Sequence, residues 1–181
     1  MIVEKLRLEG CLSLQPRVFK DERGSFFESF NKRDFKEKTG LDINFIQDNQ
    51  SVSSKGVLRG LHFQKGNKAQ AKLVQVVKGR VLDIIVDIRQ ESKTFGQYLS
   101  FELSEQNKIQ LFIPKGFAHG FLALEDDTVF SYKCDEYYCK NSEGGIRFDD
   151  PLLNIDWQFP EEEIVLSDKD KSLIFFKDLG K

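Results

Sequence analysis

KLVQVVKGRVLDIIVDIR, residues 72–89, decides the fold. Two runs within it, 72–77 and 80–89, alternate apolar and polar residues with β-branched enrichment, and Lys78-Gly79 between them reads as a tight hairpin. In the second run Leu82, Ile84, Val86 and Ile88 share one face, while Asp83, Asp87 and Arg89 share the other. Charges repeating on one strand face mark either a solvated face or the lining of a polar cavity. Working outward, residues 97–103, 109–113, 120–124 and 128–133 carry the same strand pattern, broken by Gly, Asn or Asp at short intervals. Helical features are few. Asn31 can cap a short helix over 32–39 closed by Gly40, and Ser167 can cap a turn running into Asp170. Many short strands with scarce helix predict an all-β sandwich or jelly-roll barrel, and 17 phenylalanines supply a thick apolar core between two sheets.

The 181 residues fit a single domain spanning 1–181, with no internal repeat, low-complexity tract or linker. Twenty-seven Lys and Arg stand against 29 Asp and Glu, a formal charge of −2. That balance removes the electrostatic footprint of a nucleic-acid or anionic-membrane binder. No apolar run approaches the roughly 18 residues of a membrane span, and MIVEKLRLEG at the N-terminus alternates charged with apolar residues, unlike a signal peptide. Cys11, Cys134 and Cys139 are too few and too odd for a disulfide framework, so a cytoplasmic protein is expected. His62 and His119 are the only histidines, which rules out a three-histidine metal site. No GxGxxG, P-loop or GxSxG motif occurs, and Cys134 and Cys139 lack a second ligand cluster for zinc. The expectation is chemistry without metal or cofactor.

Candidate chemistry gathers at two places. RGLHFQ, residues 59–64, sets Arg59 and His62 three apart beside a glycine that lets a ligand approach the backbone. A lone strand histidine is more often packed than catalytic, but Arg59 beside it and Lys72 and Asp83 on the following strands raise the odds for His62. PKGFAHGF, residues 114–121, crowds His119 between glycines and phenylalanines, a composition suited to a pocket rim.

Seven stretches, three of them enclosing the segments above, carry a wider pattern in order and spacing: FKDERGSFFESF (19–30), FIQDNQSVS (45–53), VLRGLHFQ (57–64), AQAKLVQVVKGRVLDIIVDIRQESKTFGQ (69–97), LSEQNKIQLFIPKGFAHGF (103–121), YKCDEYY (132–138) and LSDKD (166–170). Over nearly its whole length the chain resembles the metal-free cupin-type epimerases of nucleotide-linked 4-keto sugars, the dTDP-4-dehydrorhamnose 3,5-epimerase family. The resemblance implies a cupin-type jelly-roll barrel with a few short helices. It also implies a homodimer formed partly by strand exchange near the N-terminus, and a cofactor-free reaction feeding polysaccharide synthesis. By the same resemblance His62 is the general base, Asp170 the carboxylate orienting it, Tyr132 the acid on the opposite sugar face, and Lys72 the cation near the developing enolate. Arg59 and His119 resemble substrate-site residues. Arg23, Glu28, Gln47 and Asn49 match positions that contact the nucleotide or complete the pocket, some across the dimer, and Phe19 and Tyr138 match aromatics that pack on the base.

Physical chemistry fits these roles. A 4-keto group acidifies the hydrogens on C3 and C5, and histidine is the side chain best poised to remove a proton near neutral pH. Tyrosine, ordinarily titrating near pH 10, can return a proton from the far side. The chain departs from the family pattern at Tyr98, Phe112 and Phe148, where tryptophan is usual, and at Gln50, where histidine is usual. These positions lie outside the His62–Asp170–Tyr132 set. Alternatives within the same chemistry are a GDP-linked 4-keto heptose substrate or inversion at one centre only. Outside it stand a non-catalytic sugar-binding module and a sugar ketoisomerase.

Overall fold

The computed structural model describes residues 1–180. The chain opens with β1 (Ile2–Lys5), β2 (Leu12–Gln15) and a hairpin of β3 (Val18–Asp21) and β4 (Gly24–Phe27), followed by helix α1 (Lys32–Thr39). Next come β5 (Gln47–Ser53), β6 (Leu58–Gln64), β7 (Lys72–Lys78), β8 (Arg80–Asp87) and β9 (Tyr98–Ser104). The last strands are β10 (Gln110–Ile113), β11 (Phe117–Ala123), β12 (Thr128–Cys134) and β13 (Glu143–Gly145), and a short helix α2 (Asp168–Lys171) follows. A six-stranded sheet runs β1-β2-β10-β7-β12-β5 and a five-stranded one β13-β6-β11-β8-β9, while β3 and β4 pair only with each other. All these pairings are antiparallel, and the result is a cupin-type jelly roll.

The strand and helix expectations hold closely in the centre of the chain. The hairpin turn falls at Gly79, between β7 and β8. Helix α1 is capped as its sequence predicts: the Asn31 side chain accepts the Arg33 and Asp34 N–H groups, and Gly40 closes the helix in the left-handed conformation (φ 75°). Its one buried side chain, Phe35, meets Phe45 and Phe112 edge-on, which docks the helix on the six-stranded sheet.

The charged face of β8 is neither solvated nor the lining of a cavity; it is packed into the core, with the Asp83 and Asp87 carboxylates both fully buried. Val81 and Ile85 from that face join Val74, Val76, Phe121 and Phe130 in the core between the sheets. Leu82, Ile84 and Val86 on the other face are covered by Ile146, Phe148, Leu153 and Trp157 from the C-terminal segment. Burial acts to raise the Asp87 carboxyl, but hydrogen bonds from Arg89, Ser92 and Thr94 bring it down to about 2. A strand buried on both faces thus carries its charges inward, each with a named partner.

The approach of β6 to β11 sets up the site. A Cβ on Gly60 (φ +129°) would lie 2.6 Å from the Gly120 Cα, and one on Gly120 would lie 2.8 Å from the Arg59 carbonyl oxygen. Only glycines allow two backbones this close. The register that results puts His62 opposite His119.

Candidate active site

His62 lies on β6, on the same strand face as Gln64. Its Nε2 is 2.5 Å from Asp170 Oδ1, a contact spanning 108 residues of sequence. Ser167 explains why Asp170 is there. Its Oγ accepts the Asp170 N–H (3.1 Å) as the cap of α2, and donates to Asp170 Oδ2 (2.9 Å). Both carboxylate oxygens therefore have partners. Burial acts to raise the Asp170 carboxyl, yet the hydrogen bond and charge of His62, with Ser167, hold it below the usual carboxylate range. An ionised Asp170 accepts from Nε2–H, which leaves the lone pair of a neutral imidazole on Nδ1.

Arg59, His62, Lys72, His119, Tyr132 and Asp170 line one cavity of about 680 Å³, together with Asn49. An adjoining cavity of about 300 Å³ shares Asn49, His62, Lys72 and Tyr132, and adds Gln47, Tyr138 and Glu143. All six residues expected by resemblance to act on or bind the substrate at the reacting centre, and three of the six expected to contact the nucleotide, complete the pocket or pack on the base, thus meet in one continuous cleft. Strand register explains the convergence. Lys72 faces Cys134 across β7–β12, and Tyr132 faces Asn49 across β12–β5.

Electrostatics differ from one side chain to the next. Desolvation lowers the Lys72 ammonium, with Cys134, Asp83 and Glu143 pulling the other way, and its Nζ stands 5.8 Å from the Tyr132 ring centroid. Desolvation raises the Tyr132 phenol, which keeps it protonated at neutral pH. His119 Nε2 is 2.8 Å from Asp83 Oδ2, both residues buried, and its ring stacks on Phe130. Asp83 Oδ1 and Ser51 Oγ are buried without a hydrogen-bond partner; Ser51 lines the cavity, where a ligand or water can fill that capacity. Arg59 is held by Ser53 Oγ (3.2 Å) and the Val52 carbonyl (3.4 Å). Among the described residues no cluster of three or more His, Cys, Asp or Glu has an arrangement that could hold a metal.

Three expected residues lie elsewhere. Phe19 and Arg23 belong to the β3–β4 hairpin and Glu28 follows it; none lines the cleft within one chain. Phe19 and Glu28 border a separate cavity of about 310 Å³, and Arg23 ion-pairs with Asp21 at 2.6 Å. Other residues came unannounced. Glu143 accepts from the Tyr138 hydroxyl (3.0 Å) and from Lys169 Nζ (2.5 Å), tying the second cavity to the residue before Asp170. Ser51 was likewise unforeseen; only its inward place in the alternation of β5 could have pointed to it. Of the four departures from the family pattern, Gln50 alone borders the cleft, while Phe112 and Phe148 are core residues.

Fold and cavity define a cupin-type enzyme. A family model described as dTDP-4-dehydrorhamnose 3,5-epimerase matches residues 5–178, and the chain belongs to that family, an isomerase family of epimerases. The dTDP-4-dehydrorhamnose 3,5-epimerase of Salmonella typhimurium is 52% identical over 161 residues, 89% of this chain and 88% of its own. The crystal structure of the same-named enzyme from Elizabethkingia anophelis superposes with a TM-score of 0.95 at 52% identity, covering 100% of this chain and 99% of that one. The dTDP-6-deoxy-D-glucose-3,5-epimerase of Legionella pneumophila, solved in complex with dTDP-4-keto-L-rhamnose, gives 0.94 at 44% identity, covering 98% of this chain and 94% of that one.

Proposed function

We propose that this chain inverts C3 and C5 of a dTDP-linked 4-keto deoxysugar by proton transfer through an enolate. The observation that carries the reading is the 2.5 Å His62–Asp170 pair in the same cavity as Lys72 and Tyr132. His62 Nδ1 takes the proton from the carbon next to the carbonyl, and the C–H electron pair moves into the ring, leaving an enolate oxygen at C4. Lys72, with Arg59 and His119 beside it, holds that oxygen's charge; a donor of this kind is worth roughly 3–4 kcal/mol in the transition state. An ammonium lowered by burial is a stronger hydrogen-bond donor to an enolate than an exposed one. Tyr132 then delivers a proton to the opposite face, and solvent resets both groups.

Gln47, Asn49 and Tyr138 face the nucleotide in this reading. Names of the relatives favour dTDP over a GDP-linked heptose. Turnover of dTDP- and GDP-linked 4-keto sugars, followed by NMR of the products, tests it. The dTDP compound is expected to give the inverted sugar; conversion of the GDP compound alone, or of neither, sinks the assignment.

The working unit in this reading is a cytoplasmic homodimer. Phe19 and Phe26 on the β3–β4 hairpin are 50% and 70% exposed, and the hairpin pairs with no other strand of its own chain. Two large apolar side chains on an unpaired ribbon suit a contact with a second copy, which would bring Phe19, Arg23 and Glu28 to the partner's cleft. Light scattering at micromolar concentration is expected to read twice the chain mass; a strictly monomeric, active protein contradicts it. The three cysteines are free, as a reducing cytoplasm would keep them.

A further inference from the structure

Tyr138 carries a 54% exposed ring on a loop outside the regular strands, between β12 and β13, yet its backbone is held on both sides. Its N–H donates to Gln47 Oε1 (2.9 Å), and its hydroxyl donates to Glu143. The two peptide groups flanking it meet a single side chain. Gln64 Nε2 donates to the Tyr137 carbonyl (3.2 Å), and Gln64 Oε1 accepts the Cys139 N–H (2.6 Å). The same Nε2 donates to the Lys68 carbonyl (2.6 Å), so every hydrogen-bonding group of this buried amide is engaged with backbone.

One amide accepting from residue 139 and donating to residue 137 imitates a neighbouring strand and fixes the backbone torsions of residue 138. Gln64 lies two residues beyond His62 on the same face of β6. Gln47 reaches the loop from β5, in the other sheet. The aromatic ring is therefore set relative to the base from both sheets at once, before any ligand arrives. Such preorganisation reduces the ordering cost of binding.

We propose that Gln64, which borders the second cavity but has its amide engaged with backbone, is a positioning residue for nucleotide binding that acts by holding Tyr138. The inference rests on the reading that Tyr138 packs on the nucleotide base. Calorimetric titration with thymidine diphosphate tests both, using Gln64→Leu, Tyr138→Ala and the double variant. Tyr138→Ala is expected to weaken binding about tenfold, the scale of one base stacked on an aromatic ring. Gln64→Leu is expected to weaken it about fivefold, in the range of one or two lost hydrogen bonds. In the double variant the Gln64 effect should vanish, leaving affinity within about twofold of Tyr138→Ala, because the two residues act as one unit. In turnover, the Gln64→Leu loss should fall more on KM than on kcat.

If Tyr138→Ala binds as tightly as the parent, the stacking reading fails and the inference with it. If Tyr138→Ala weakens binding while Gln64→Leu does not, or if the two losses multiply in the double variant, the inference alone fails. Should Gln64→Leu not fold, Gln64→Glu replaces it in the cycle. That variant keeps the acceptor for Cys139 N–H but sets a carboxylate oxygen against the Lys68 and Tyr137 carbonyls, and the same outcomes decide.

Discussion

His62→Asn is expected to abolish proton exchange at both C3 and C5, lowering kcat by about 10³-fold or more, near the upper part of the range for a lost general base. The size follows from the wiring of the pair. Asp170 has one oxygen on His62 and the other on Ser167, so the imidazole is held in one tautomer with its lone pair on Nδ1. No second imidazole can substitute, since His119 is tied to buried Asp83 on the neighbouring strand. Asp170→Asn should fall between parent and His62→Asn, because it disturbs the tautomer and basicity of His62 and leaves the cavity walls in place. A purely structural His62 predicts the opposite pattern. Its replacement would lower the melting temperature more than the rate. His62 is half-buried and its ring contact is with one carboxylate, so the melting temperature is expected to change little. Thermal unfolding measured beside deuterium incorporation separates the two cases.

Tyr132→Phe is expected to fail differently. The substitution removes one hydroxyl and keeps the ring that packs beside Phe130 and under Lys72. His62 and Asp170 remain, so abstraction and return of the proton on the same face should continue. Inversion should drop by about 10²-fold, the lower end for loss of a positioned acid. The kinetic signature is a ratio of exchange to inversion that rises well above that of the parent. Equal loss of exchange and inversion in Tyr132→Phe would count against an acid on the opposite face.

Much of this was readable from residue order. The strands from β7 to β12 carry β-branched alternation, and Asn31 with Gly40 brackets α1 as written. The segment QDNQSVS of β5 escaped recognition as a strand because its inward residues, Gln47, Asn49 and Ser51, face the cleft rather than the core. Period two is present there without hydrophobicity to reveal it. Neither reading of the charged face of β8, solvated or cavity-lining, anticipates a strand packed on both sides, because residues 146–157, which cover the other face, are remote in sequence. At the site, His62 and Asp170 are 108 residues apart, and only the family pattern linked them. Glu143 escaped notice because β13 is three residues long and two of them are glycine. Phe19, Arg23 and Glu28 were expected at the pocket and stand apart from it in the single chain, a placement that residue order cannot foretell.

The most direct test places the parent, His62→Asn and Tyr132→Phe proteins with a dTDP-linked 4-keto deoxysugar in D₂O. NMR then follows deuterium at C3 and C5 together with the configuration of each centre. A His62 base with a Tyr132 acid predicts label and inversion in the parent, neither in His62→Asn, and label largely without inversion in Tyr132→Phe. Near-parental labelling by His62→Asn would contradict it.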